Sequence, residues 1–452
     1  MTDPDSRLPK LRIGFVSTRF EGTDGVSLET EKWATVLESL GHTCFYFAGK
    51  SNRPAEHSRI VPEAFFGHPA VAAINSASFD SEWGTDDLLE FTNPEIHCPH
   101  RRAMHHRIRP PRLTHRVHEL ADYLKTQLYA FVRDFGIELL IVENALAIPM
   151  NIPLGLALTE FIAETGFPTV GHHHDLYSER TRFQINCVSD YLSMAFPPNL
   201  PSLRHIVINS VAALAINQRL GISATVIPNV MDFEHPPAPP DEYAQDVRAA
   251  LGLAPDELLF LQPTRVIDRK GIEHAIELTR RTELKACLVI SHASGDEGNG
   301  YEKRLREFSD LLDEPVHFVS DIIGDRRAQT PDGRKIYSLW DVYPHADLVT
   351  YPSILEGFGN AFLEAVYFRR PIVVNNYTIF KLDIKPKGFR VVEFEGYITE
   401  STIEQTLDVL ADSALREEMA EQNYRIAERY YSYSVLSRHL QTLIADCFGE
   451  EI

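Results

Sequence analysis

Residues 348–366 read Leu-Val-Thr-Tyr-Pro-Ser-Ile-Leu-Glu-Gly-Phe-Gly-Asn-Ala-Phe-Leu-Glu-Ala-Val, and few backbone paths accommodate that order. The apolar run 348–351 is a buried strand, Gly357 and Gly359 break it, and the spacing changes to helical from Gly359-Asn360 onward. Strand, glycine turn and helix together make one corner of an α/β sheet. Glycines here let the backbone come close to a ligand, and the first free N–H groups of the helix present positive charge to an anion such as a diphosphate. Glu356 stands before the turn and Glu364 inside the helix, each able to accept hydroxyls from a ribose or hexose. The competing reading is a plain corner with two solvated glutamates, which the rest of the chain must decide.

That corner is one of many. The run Leu11–Ser17 leads through Gly22 and Gly25 into an amphipathic helix ending near Leu40, and Gly41 stops it. Strands follow at 43–47, 139–142, 169–171, 205–208 and 225–227, with helices over 119–135 and 152–165. At 228–240 the composition changes to Pro-Asn-Val-Met-Asp followed by Pro236-Pro-Ala-Pro-Pro240, a stiff extended connector. The alternation then restarts with strands at 258–262, 286–290, 316–319, 348–351 and 371–374, a helix from Gly271, and helices at 402–412 and 414–429. The expected fold class is α/β with two doubly wound, Rossmann-like domains. Their bounds are 1–232 and 233–429, with the terminal segment 430–452 packing back on the first. The Gly22-Thr-Asp-Gly25 turn lacks the third glycine of a dinucleotide fingerprint, which argues against a nicotinamide cofactor.

The formal charge is −20, from 44 Lys and Arg against 64 Asp and Glu, which excludes a chain built to wrap nucleic acid. The start Met-Thr-Asp-Pro-Asp-Ser-Arg has no apolar core for a signal peptide, so the expected location is cytoplasmic. The longest apolar region, 139–158, is interrupted by Glu143, Asn144, Pro149, Asn151 and Pro153, so no integral membrane segment is expected. Five cysteines (Cys44, Cys98, Cys187, Cys287, Cys447) lie far apart with no C-x-x-C pair, as reduced, buried thiols do.

Arg265 and Lys270 follow the first strand of the second domain, where strand-end loops hold ligands. An arginine forks two phosphate oxygens and a lysine adds a point charge, which is what a departing diphosphate needs. In the first domain, Val170-Gly-His-His-His-Asp175 closes an apolar strand. Alternation puts His172 and His174 on one face and His173 on the other. A structural histidine satisfied by Asp175 is the plain alternative. Consecutive histidines converge poorly on one ion and the only Asp-x-Asp is Asp3-Pro4-Asp5 at the start of the chain, so a metal-independent reaction with no cofactor is expected.

Arg265 with Lys270-Gly271, Glu356-Gly-Phe-Gly with Glu364, and Pro228-Asn-Val-Met-Asp232 resemble the retaining glycosyltransferases of family 4, of GT-B fold, along nearly the whole chain. The resemblance implies two Rossmann-like domains facing across a cleft, a nucleotide-sugar donor held by the second and an acceptor held mainly by the first. Carried over residue by residue, His174, Arg265, Lys270 and Glu356 are the catalytic set. Gly25, His172, Gly357, Phe358, Gly359, Asn360 and Glu364 line the donor, and Asp24, Arg101, Arg102, Tyr177 and Arg180 are offered to the acceptor. Gly22-Thr-Asp-Gly-Val-Ser-Leu-Glu29 and His172-His-His-Asp175 are similar, more finely, to mannosylglucosylglycerate-type enzymes. That subgroup implies GDP-mannose as donor, with UDP-glucose the second option, and a small anionic acceptor such as glucosylglycerate or its phosphate. Retention would follow from attack on the leaving-group face, with phosphate oxygen taking the acceptor's proton. A non-catalytic nucleotide-sugar sensor, an epimerase and a phosphorylase are the alternatives; oligomeric state is open.

Residues 97–118 carry six arginines, six histidines and no acid. A solvated loop is the plainer reading, and a partner-binding segment or a mistaken zinc site also compete. If the segment holds an anionic acceptor, replacing Arg101 and Arg102 by alanine raises the acceptor KM steeply; an unchanged KM refutes that role.

Overall fold

The computed structural model describes residues 10–22, 24–79, 109–294 and 298–448. These form two compact units, Met1–Pro228 with Leu436–Ile452, and Asn229–Val435. The Pro-rich stretch 236–240 thus lies inside the second unit.

In the first unit the elements run β1 (Arg12–Val16), α1 (Gly25–Ser39), β2 (Thr43–Ala48), β3 (Ser58–Ile60), α2 (Pro69–Phe79), α3 (Pro111–Phe135), β4 (Leu139–Glu143), α4 (Ile152–Thr165), β5 (Thr169–His173), α5 (Ser189–Ala195), β6 (Leu203–Val207), α6 (Ser210–Leu220) and β7 (Ala224–Val226). All strands pair in parallel, in the order β3-β2-β1-β4-β5-β6-β7. Every residue of β4 and β5 is buried, without the alternation of a sheet exposed on one face, as a sheet covered on both faces requires. Gly14 in β1 lets α3 approach: a Cβ there would lie 2.7 Å from Phe131. Phe131, Phe45, Phe47, Leu128 and Leu158 belong to one apolar core between helices and sheet.

The second unit repeats the design with β8 (Leu258–Gln262), α7 (Ile272–Thr282), β9 (Ala286–Ile290), α8 (Gly300–Leu312), β10 (Val316–Phe318), β11 (Leu348–Tyr351), α9 (Asn360–Tyr367), β12 (Ile372–Asn375), β13 (Val392–Phe394), α10 (Glu400–Ala411) and α11 (Ser413–Tyr431). A last helix, α12 (Tyr433–Phe448), carries the chain from the second unit to the first. The second sheet is parallel in the order β10-β9-β8-β11-β12-β13. Both sheets therefore reverse direction beside their first strand, between β1 and β4 and between β8 and β11. Doubly wound sheets bind ligands beyond the carboxyl ends of the strands at such a switch point.

Three sequence expectations need correction. Helix α3 begins at Pro111 rather than 119, so 111–118, read as part of a solvated loop, is helical. Pro111 opens it without loss of a hydrogen bond, and Leu113, Val117, Ala121, Leu124, Leu128 and Phe131 form its buried stripe beneath a basic outer face. Short strands at Ile323–Gly324, Ala328–Gln329 and Lys335–Ser338 make a small sheet that the apolar pattern does not announce. Of the cysteines, Cys44 and Cys287 are buried free thiols, but Cys187 and Cys447 are only partly so, and Cys98 lies outside the described residues. Among the described residues no helix is long and apolar enough to cross a membrane.

Phe131 is fully buried. Replacing it by alanine should lower stability by about 3–5 kcal/mol, read as an earlier urea midpoint; an unmoved midpoint would show that this core does not hold the first unit together.

Candidate active site

At the second unit's switch point, β8 ends in a buried polar cluster: Gln262 donates to Thr264 at 2.7 Å and accepts from Thr350 of β11 at 2.7 Å. The loop after β8 turns at Gly271, whose φ of +56° is left-handed, and whose Cβ, if present, would sit 2.7 Å from the Pro352 carbonyl. This close approach brings Lys270 to the loop after β11, where its Nζ pairs with Glu356 Oε1. Both groups are largely buried, the Glu356 side chain 8% exposed. Arg269 adds a second cation, 3.6 Å from Glu356 Oε2.

Burial would by itself raise the Glu356 carboxyl, but Lys270 and then Arg269 hold it below the ordinary carboxylate value. Burial lowers the Lys270 ammonium from its ordinary value, with Glu356 opposing. Arg265 is exposed in the same loop and forms no ion pair among the described residues. Its charge reaches Lys270 and also His292, a half-buried residue two positions beyond β9 that the sequence reading did not single out.

The glycine turn is tightly built. Gly359 has φ +127°, and a Cβ would meet the Tyr377 hydroxyl at 2.5 Å, so only glycine fits without movement. Tyr377 donates to the Phe358 carbonyl at 2.7 Å. Phe358 itself is buried against Tyr431, with ring centroids 5.3 Å apart, so it supports the turn from behind and any ligand contact falls to its backbone. Gly359 caps α9 without a side chain, which leaves first-turn N–H groups without a side-chain cap. Asn360 accepts from Asn229 at 2.6 Å, and Glu364, one helical turn on, accepts from Tyr343 at 2.8 Å. The structure thus brings Lys270, Glu356 and the 357–360 turn together, with Arg265 at the rim.

In the first unit, Asp24 caps α1, accepting from the amides of Val26 and Ser27 and pairing with Arg19 at 3.1 Å. Gly25 is the first residue of that helix. His172 and His174 share a face, and both meet a residue the sequence analysis passed over as an interruption: Glu143, at the end of β4. His172 Nδ1 and His174 Nε2 lie 2.9 and 3.0 Å from Glu143 Oε2. His172 is 0% exposed and stacks on Trp33 at 4.1 Å, so its ring is interior, where the sequence analysis had it contact the donor. His174 keeps 7% exposure. His173 turns to the opposite face and pairs with His205 at 2.9 Å.

Asp175, which the plain alternative had satisfy a histidine, instead pairs with Arg180 at 2.6 Å, because it follows the strand end and points into the next loop. Arg180 is thereby engaged, and Tyr177 lies partly buried in the same loop. Arg101 and Arg102 lie outside the described residues. Arg109, at the edge of that basic stretch, is committed to Asp190 and to the face of Tyr191. The expectation that the histidines converge poorly on one ion fails for alternate positions: Glu143, His172 and His174 offer ligand atoms within 4.8 Å of one another. Such a set fits a divalent cation by donor type.

The sequence model of the family Glycosyl transferases group 1 matches residues 333–426, which include the glycine turn. Sucrose-phosphate synthase from Thermosynechococcus elongatus superposes with a TM-score of 0.64 at 16% identity, over 97% of this chain and 100% of that one. The superposition shows the GT-B fold. Mannosylglucosylglycerate synthase of Petrotoga mobilis is 30% identical over 84% of this chain and 86% of its own length. The enzyme of that name from Thermotoga maritima is 30% identical over 95% of this chain and 100% of its own length. The chain belongs to the glycosyltransferase family that includes these mannosylglucosylglycerate synthases.

Removing one member of the buried pair isolates the other. Glu356→Ala should cost roughly 3–5 kcal/mol of stability, whereas Lys270→Met with Glu356→Leu should recover most of it. The sign with pH follows from the depressed Glu356 carboxyl. Its contribution is complete above the unfolded carboxylate pKa and is lost as pH falls through the lower folded value. Acid unfolding should therefore be less steep in the double variant; identical acid profiles would contradict the pair's role.

Proposed function

We propose that this glycosyltransferase moves a hexosyl group from a nucleoside diphosphate sugar to a hydroxyl of a small anionic acceptor, with retention at the anomeric carbon. GDP-mannose is the favoured donor and UDP-glucose the second option. A glycerate-bearing sugar, glucosylglycerate or its phosphate, is the favoured acceptor. The observation that carries the reading is the buried Lys270 and Glu356 pair beside a glycine turn that only glycine can make, at a switch point of a parallel sheet. The names of the two relatives support the acceptor class.

In this reading Lys270 and Arg265 neutralise charge that grows on the leaving diphosphate, and the amides of 357–360 hold its oxygens. Glu356, already ionised, accepts hydroxyls of the transferred sugar, and Glu364 those of the ribose. Diphosphate oxygen takes the acceptor's proton as its hydroxyl attacks from the same face, so no carboxylate nucleophile is needed. His174 is assigned to the transferred sugar. The reaction is proposed to need no metal. The sensor, epimerase and phosphorylase readings have no observation in their favour.

Nucleotide release from GDP-mannose and from UDP-glucose, measured in EDTA with glucosylglycerate or its phosphate present, tests this directly. Acceptor-dependent release from one donor, with an α-linked product from an α-linked donor, is expected. Release that needs no acceptor, or that stops in EDTA and returns with a divalent cation, would contradict it. Lys270→Ala should lower kcat by about 10²-fold or more, the scale of losing one preorganised charge in the transition state.

A further inference from the structure

Glu143 is a carboxylate with no exposure, at the end of a fully buried strand and next to the first unit's switch point. A charge is kept in such a place only when partners compensate it. Here they come from the neighbouring strand, where β5 runs parallel to β4 with Glu143 opposite His172. The next residue, Asn144, has φ +60°, and its side-chain oxygen accepts from the His174 amide at 3.1 Å. Its own amide donates to the His172 carbonyl at 2.9 Å. Glu143 fixes the His174 ring and Asn144 fixes the backbone that carries it.

We propose that Glu143 and Asn144 are positioning residues that hold the His174 imidazole with Nε2–H on the carboxylate, so that Nδ1 is the atom presented to substrate. The proposal rests on the assignment of His174 to the transferred sugar. Nε2 is occupied by Glu143, and Nδ1 has no protein partner among the described residues. A carboxylate on one ring nitrogen fixes the orientation of the ring and so the direction of the other nitrogen, which is how histidines are set for proton and hydroxyl contacts. The polarity of the site supports a charged ring. Burial opposes the charge on His174, but Glu143 at bonding distance, then Glu29 and Asp175, raise its pKa above the ordinary value. Glu143, despite burial, is held down to about 2 by His172 and His174. Burial lowers His172 from its ordinary value, with Glu143 opposing.

The groups facing this cluster are Glu29 of α1, itself 3.0 Å from Lys32, with Asp175 beyond the strand end and His172 on the same face. His173 lies on the far face, where burial and then the neighbouring His205, His172 and His174 rings hold it well below the ordinary histidine value.

The test is a histidine ring titration by heteronuclear NMR on the full chain, with turnover measured in parallel. In Glu143→Gln the His174 ring should titrate at least about one pH unit lower than in the wild type, a tenfold change in proton affinity. Its kcat should fall about 10²-fold with donor KM within threefold, and the alkaline limb of the pH profile should move with the ring. Asn144→Gly keeps the left-handed backbone and removes the side-chain oxygen; it should lower kcat without moving the His174 titration, and it serves where Glu143→Gln does not fold. An unshifted His174 in Glu143→Gln, or wild-type kcat in both variants, overturns the proposal while an inactive His174→Ala leaves the assignment of His174 intact. Wild-type turnover in His174→Ala overturns that assignment and the proposal with it. One equivalent of tightly bound zinc or manganese in the purified protein, lost in Glu143→Gln, would show that the three groups hold a cation instead.

Discussion

A lysine and a glutamate buried against each other, Lys270 and Glu356, are the interaction on which the second unit's site depends. Neither charge is tolerable there alone, and each is stable only because parallel pairing of β8 with β11 brings their two loops side by side. The approach of those loops depends in turn on Gly271, where any side chain would strike the Pro352 carbonyl. One backbone constraint thus places the Lys270 cation next to the Glu356 carboxylate. The glycine turn after Glu356 has the same character, since Tyr351 and Tyr377 fill the space a Cβ at 359 would need.

The first unit solves a parallel problem with different chemistry. Its switch point lies beside β4, and the charge kept there is Glu143, compensated by two histidines rather than a lysine. The two units thus share strand order but not site chemistry, as expected when a fold is a scaffold and the reaction lives in its loops.

Much of this was legible in the chain itself. Strands such as 258–262 and 286–290 are apolar from end to end, and the change to helical spacing after a glycine marks each corner, so the two α/β sheets and the family could be read directly. Lys270, Glu356 and Gly359 stood out because charges and glycines beside buried strands have few structural uses. Glu143 did not, although the signal was present as a single acid inside 139–158; its meaning depends on β5 pairing with β4 across thirty residues, which spacing along one strand cannot reveal. The same long-range pairing decided that Glu143, not Asp175, holds the His174 ring. The start of α3 was hidden because its basic outer face outweighs its apolar stripe in the local composition. The strands at 323–338 are too short to carry a period.

The most direct test of the account is calorimetric titration of GDP and of UDP into the full chain in EDTA, wild type against Lys270→Met. If Lys270 faces the donor diphosphate, one nucleotide binds without a metal and the variant binds it at least about tenfold more weakly, since a buried cation is lost. Equal affinity in the two proteins would contradict it, and would leave the Lys270 and Glu356 pair a structural bond rather than the floor of a donor site.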